Sequence, residues 1–181
     1  MQAMENFKLF MLGLAGYLLV GMYDIAILYD KSFMKKLFSL GFFLTAVPYI
    51  FLFYSYRSPH KTLFSLGLLV IIGCFVILLI YSVFIETALF SSRSGQLYTQ
   101  GTYSFSRHPG FLWYTIVNLL VAVFFWDVGI TLLCLGLILC NFVLVMLEDI
   151  IIFPKIFAGY DKYKQHTPLV LSFSRRLWRN E

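Results

Sequence analysis

Apolar residues along this chain are gathered into long blocks, with the polar and charged positions confined to short stretches between them. Five blocks stand out, at about Phe7–Leu28, Leu37–Tyr54, Leu63–Phe84, Pro109–Trp126 and Gly129–Leu147. Each approaches the roughly 20 residues that a helix needs to cross a bilayer. The pattern therefore predicts an all-α integral membrane protein with five transmembrane helices. The first block lacks the short apolar region and small-residue cleavage site of a signal peptide, so it is expected to be retained. No internal repeat, low-complexity tract or linker breaks the chain, and a single membrane domain over residues 1–181 is predicted.

Composition strengthens this reading. Hydrophobic residues make up 60% of the 181 positions and charged residues only 13%, with mean hydropathy +0.82. Soluble domains carry about a quarter charged residues. A core of this size has no room for so much apolar surface, so the bilayer has to be the solvent. The net charge of +5, from 14 basic and 9 acidic residues, suits anionic headgroups. It does not suit nucleic acid, because no basic run has aromatics interleaved on a polar face. Cys74, Cys134 and Cys140 all lie inside apolar runs and are expected to be buried free thiols.

The lysines and arginines set an expected orientation. With the N-terminus outside, the inner side receives Lys31, Lys35, Lys36, Arg93, Arg107, Lys155, Lys162, Lys164, Arg175, Arg176 and Arg179. The outer side keeps Lys8, Arg57 and Lys61, a split of 11 against 3 that places the C-terminus in the cytoplasm. Expected localisation is a multi-pass membrane protein of the cell or inner membrane in a bacterium, or of the endoplasmic reticulum in a eukaryote. Asp24 and Glu86 fall near block ends and read as interfacial residues.

The last two blocks carry the candidate chemistry. Asp127-Val128-Gly129 is a tight-turn signal between apolar runs of nearly equal length, which predicts an antiparallel hairpin. Pro109 lies about 19 residues before the turn and Glu148 about 20 after it, so both reach the same depth. Arg107 and His108 should then meet Glu148 and Asp149 at the cytoplasmic border. Pro109 suits the first turn of a helix, and the N–H groups of that turn favour an anion. Cations, carboxylates and a helix start at one depth make a candidate site for a zwitterionic ligand. Beyond it, Tyr160 and Tyr163 share a helix face, with Lys155, Lys162 and Lys164 toward headgroups and Ile156 and Phe157 toward the membrane. This predicts a C-terminal interfacial amphipathic helix, ended by Pro168, that lids the site. Each feature also has an ordinary reading by itself: topogenic charges, an interfacial helix end, an aromatic belt. Asn118 and Asn141 read as hydrogen-bonding glue between helices.

Taken in order, "LYTQGTYSFSRHPGF", the hairpin, "ED" and then two tyrosines and a proline resemble the isoprenylcysteine carboxyl methyltransferase family. That family is grouped with the phospholipid N-methyltransferases. Its pattern falls here on Gly101, Tyr103, Arg107, His108, Pro109, Glu148, Asp149, Tyr160, Tyr163 and Pro168. The resemblance spans about residues 97–171; residues 1–96, with the first three helices, match only in kind.

It implies an integral-membrane enzyme that uses S-adenosylmethionine, with no metal, and takes a lipophilic acceptor from the bilayer: a prenylcysteine-type carboxylate, a lipid amine, or a small thiol or isoprenoid. Arg107 and His108 would take the methionyl carboxylate, and Glu148 or Asp149 the ammonium or ribose. The tyrosines would cap the adenine or the sulfonium. Arg107 and Glu148 are the expected catalytic residues.

The chain departs from the family at four places. Phe111 stands where a tyrosine is usual, Trp113 where a glycine is usual, and Asp149 where a second glutamate is usual. The phenylalanine-glycine pair before the tyrosines is displaced into "IFAGY". Phe111 and Trp113 are thus the expected lining of a narrowed substrate crevice. The alternatives are an NADPH-dependent membrane sterol or steroid reductase, which carries a similar Arg-His-Pro step, and an inactive membrane scaffold.

Overall fold

The computed structural model describes residues 2–29, 31–86 and 97–170. Arg93, Arg175, Arg176 and Arg179 of the charge balance lie outside the described residues, as does Leu171 at the end of the motif-bearing stretch. Among the described residues every regular element is helical. Helix α1 covers Gln2–Leu28, α2 Ser32–Phe38, α3 Leu40–Ser55, α4 Thr62–Ile80, α5 Pro109–Phe125, α6 Val128–Leu147, α7 Phe153–Ile156 and α8 Tyr160–His166. A π-turn over Tyr81–Glu86 prolongs α4, and another over Glu148–Ile152 joins α6 to α7. A single 3-10 turn, Gly101–Ser104, precedes α5.

Three of these stretches, Ala3–Leu28, Thr62–Glu86 and Val128–Ile156, are long and apolar enough to cross a membrane. At about 1.5 Å per residue their 26, 25 and 29 residues exceed the roughly 30 Å hydrocarbon thickness. The apolar helices Leu40–Ser55 and Pro109–Phe125 are shorter, at 16 and 17 residues. The second predicted block does not form one helix: it is divided at Ser39 into α2 and α3. The fifth runs on past Leu147 without a break. Ile156 and Phe157, expected at the start of an interfacial helix, instead end the long α6–α7 rod.

Helix α1 packs on α3 and α6, α5 on α4 and α6. The α1–α3 crossing is tight because it is made by glycines: a Cβ at Gly41 would lie 2.8 Å from the Gly16 carbonyl oxygen. Small residues allow helix backbones to approach where the solvent is as apolar as the side chains. Helices α1 and α6 run parallel, with Asn6 beside Gly129 at one end and Asp24 against Glu148 at the other. Their Glu148 end is therefore also the Asp24 end.

Three polar side chains inside the bundle form one cluster across helices α3 and α5. The Tyr49 hydroxyl of α3 donates to Asn118 Oδ1 at 2.8 Å and lies 2.6 Å from the Tyr114 hydroxyl. The Asn118 amide in turn donates to the Tyr114 carbonyl at 2.9 Å. Asn118 is fully buried and acts as the glue expected of it. The hairpin turn also forms as the sequence implies. Trp126 closes α5 in the left-handed region (φ 48°), and Asp127 caps α6 by accepting from the Ile130 amide at 2.9 Å. The thiols are a correction. All three cysteines are free, but only Cys134 is buried and Cys74 is exposed, because α4 presents one side outward from the bundle.

Candidate functional site

The site is built where the start of α5 meets the end of α6, as the hairpin arithmetic implied. Pro109 begins α5, leaving Arg107 and His108 in the strap just before it. The C-terminal segment holds this strap from outside. Arg107 N donates to the Pro168 carbonyl at 2.9 Å, His108 N to that of Leu169 at 3.2 Å, and Ser106 Oγ to Leu169 at 3.1 Å. The Tyr163 hydroxyl donates to the Tyr103 carbonyl at 2.6 Å. Residues 103–108 and 160–169 thus form one layer.

Asp149 is the hub of this layer and is 2% exposed. Arg107 Nη1 lies 3.1 Å from its Oδ1, and Lys164 Nζ 2.7 Å from its Oδ2. The Tyr160 hydroxyl donates to Oδ1 at 2.7 Å. His108 bridges the two acids, with Nδ1 3.4 Å from Glu148 and Nε2 3.6 Å from Asp149. Its ring stacks on Phe153 at 5.5 Å with an interplanar angle of 6°. Burial disfavours the His108 imidazolium, but the Asp149 and Glu148 carboxylates outweigh it and raise the pKa above the ordinary histidine value. Burial, followed by the neighbouring Asp149, also raises the Tyr160 pKa, so this phenol stays a donor.

The two acids differ in what they leave free. Asp149 spends both oxygens on the protein. Glu148 is more exposed, at 15% of its side chain against 3%, and has one long contact to His108 besides the approach of Asp24. Arg107 is 9% exposed, yet neither its Nε nor its Nη1 makes a hydrogen bond. The 3.1 Å approach to Asp149 is a close ion pair in which the N–H vector misses the oxygen. A buried guanidinium with unfilled donors and, across His108, a carboxylate with one long cationic contact are together complementary to a ligand bearing both an anion and a cation.

Of the helix-start N–H groups expected to add to the anion site, two are taken up within the turn itself. Pro109 has no N–H, while Phe111 N and Leu112 N both donate to the His108 carbonyl at 3.1 and 3.3 Å. Arg107 adds two side-chain donors, Nε and Nη1, that make no hydrogen bond.

Glu86 is the residue that sequence reasoning passed over. It is 1% exposed and accepts from Thr102 N at 2.9 Å, from Tyr98 at 3.3 Å and from the Thr102 hydroxyl. Gly101 sits on it at φ +57°, where a Cβ would fall 1.8 Å from Glu86 Oε1. The glycine of the motif is thus required by a buried carboxylate beneath the strap. Its signal in the sequence was that Glu86 is the first charge after Lys61. Tyr103 points the same way, its hydroxyl donating to the Ser82 carbonyl at 3.2 Å. Asp24 meets Glu148 at the same end of the bundle and keeps a buried Oδ2 with no hydrogen-bond partner.

The two crevice residues diverge. Trp113 stands between Phe75 of α4 (5.9 Å) and Phe105 of the strap (6.2 Å), with Nε1 buried and unpartnered. Phe111 turns to Phe142 of α6, at 5.8 Å. They line opposite flanks of α5, not one wall. No family model matches the chain, nor does any curated protein or solved structure.

Proposed function

We propose that the chain is a five-span membrane enzyme that transfers a methyl group from S-adenosylmethionine to a lipophilic acceptor at the cytoplasmic border. In this reading α3 and α5 are the two further spans, and the C-terminus is cytoplasmic. Helix α8 then lies in the interface, burying Tyr160 and Tyr163 and exposing Asp161, Lys162, Gln165 and His166. The observation that carries the activity is the buried Arg107, whose Nε and Nη1 make no hydrogen bond, beside His108, which reaches Glu148. Leaving such donors unfilled in a buried site costs about 1–3 kcal/mol or more for a charged group, which a ligand carboxylate would recover.

Bound there, S-adenosylmethionine supplies an electrophilic methyl carried on a sulfonium. Arg107 holds the methionyl carboxylate by charge-assisted hydrogen bonds, and Glu148 takes the ammonium or a ribose hydroxyl. Asp149 keeps Arg107 and His108 in place through its contacts with both. Tyr103, Tyr160 and Tyr163, whose hydroxyls are already engaged, contribute ring faces and fasten the C-terminal layer over the site. That layer excludes water, so positioning of the acceptor supplies most of the rate.

The deciding experiment is calorimetry on the purified protein in detergent with S-adenosylhomocysteine and with NADPH. Binding of the former, weakened by Arg107→Ala, is expected. Binding of NADPH alone would replace this reading with the reductase, and binding of neither would leave a scaffold.

A further inference from the structure

At the opposite end of the bundle, α1 and α6 leave a groove of about 350 Å³. Ala3, Asn6, Phe7 and Phe10 line one wall, and Gly129, Leu132, Leu133 and Gly136 the other. Both sets follow the same i, i+3, i+4, i+7 spacing, so one stripe of each helix faces the groove along its length. Every lining residue is apolar or small except Asn6. That side chain is 7% exposed, and neither its Nδ2 nor its Oδ1 has a hydrogen-bond partner.

An amide in this position has an unmet need for one acceptor and one donor. A single water would find Asn6 as its only side-chain partner among the lining residues, whereas buried waters make about three hydrogen bonds. A phosphate is equally unsuited. None of the lining residues is charged, and the nearby Lys8 is paired with Glu5 at 2.8 Å. The N-terminal turns of α1 and α6 already carry Glu5 and the Asp127 cap. A neutral hydroxyl meets the requirement, because it accepts from Nδ2 and donates to Oδ1 in one group.

We infer that this groove binds an uncharged single-chain amphiphile, whose hydroxyl pairs with Asn6 and whose alkyl chain runs between Phe7, Phe10, Leu132 and Leu133. The two helices that form it are both long and apolar enough to span a membrane, so such a molecule reaches it directly from the lipid phase. The groove lies at the end of the bundle away from Arg107 and Glu148, and its occupancy is independent of methyl transfer.

The test uses the full chain in nanodiscs doped with a photoreactive monoacylglycerol, or with an equally photoreactive phosphatidylglycerol, followed by peptide mapping of the adducts. The neutral probe should label the Ala3–Phe10 and Gly129–Gly136 stretches. Asn6→Leu should cut that labelling roughly tenfold, as for one or two lost neutral hydrogen bonds. Leu132→Trp, at a position 64% exposed and outside the core, should block the groove with folding intact. Labelling unchanged in both variants would overturn the proposal, as would equal labelling by the anionic probe. Concentration-dependent crosslinking of two chains through Asn6 would overturn it too, by showing a second copy as the occupant.

Discussion

Asp149→Asn and Glu148→Gln are neighbouring, nearly isosteric neutralisations, and the structure assigns them opposite consequences. Neutralising Asp149 strands Arg107, whose side chain is 9% exposed, and weakens the contact to Lys164, whose side chain is 38% exposed. Breaking a buried pair by removing one partner costs about 3–5 kcal/mol. The half-exposed lysine adds little, on the order of 0–1 kcal/mol. With Tyr160 still able to donate to the new amide oxygen, we take about 3 kcal/mol as the net loss. For a chain of this size that lowers Tm by roughly 6–12 °C. Glu148→Gln removes a 3.4 Å contact to His108 from a side chain that is 15% exposed and turns the like-charged neighbour of Asp24 into an amide, so stability should fall by at most about 1 kcal/mol. Affinity should behave the other way. Losing a charged hydrogen bond to the ligand costs about 1.5–3 kcal/mol, or roughly 10- to 150-fold in Kd, at Glu148. Asp149→Asn, its oxygens already committed to the protein, should weaken binding less. Thermal unfolding in detergent, paired with titration of S-adenosylhomocysteine at a temperature where both variants are folded, reads both quantities. A stable Asp149→Asn variant that binds worse than Glu148→Gln would refute the division of roles.

Because the His108 pKa is raised in the folded chain, its contribution to stability is complete below the unfolded value of about 6.5 and is lost as pH climbs through the folded value. Ligand-free protein should therefore melt higher at pH 6 than at pH 8.5, and His108→Asn should remove that difference. Gly101→Ala should cost on the order of 3–4 kcal/mol, combining a left-handed backbone with displacement of a buried, hydrogen-bonded carboxylate; denaturant or thermal melts check it. Trp113→Gly should lose roughly 3–5 kcal/mol from the cavity between Phe75 and Phe105, and shift methyl transfer toward bulkier prenylated acceptors; an unchanged size preference would place the indole outside the acceptor path. Reporter fusions after Arg57 and after Arg179 should lie on opposite sides of the membrane, and finding both on one side would refute the five-span topology.

What the linear pattern determined on its own was the class of molecule and the meeting of two chain segments. Long uncharged blocks suit a lipid environment, because a helix satisfies its own backbone groups there and their length and composition are read directly from the chain. The near-equal lengths flanking Asp127-Val128-Gly129 bring Arg107-His108 to Glu148-Asp149, since helical rise converts residue counts into depth. The tertiary structure alone decided which polar atoms remain free. Asp149 and Glu148 are chemically alike and adjacent, yet only the approach of Tyr160, Lys164 and Arg107 saturates one and spares the other. The partners of Glu86 and Asp24, Thr102 and Glu148, are respectively 16 and 124 positions away (102 − 86 and 148 − 24), beyond the reach of any local pattern. The vacant donors of Arg107 and of Asn6 have the same origin. Whether a buried polar atom is satisfied depends on directions and distances to residues remote in sequence, and no local spacing encodes those.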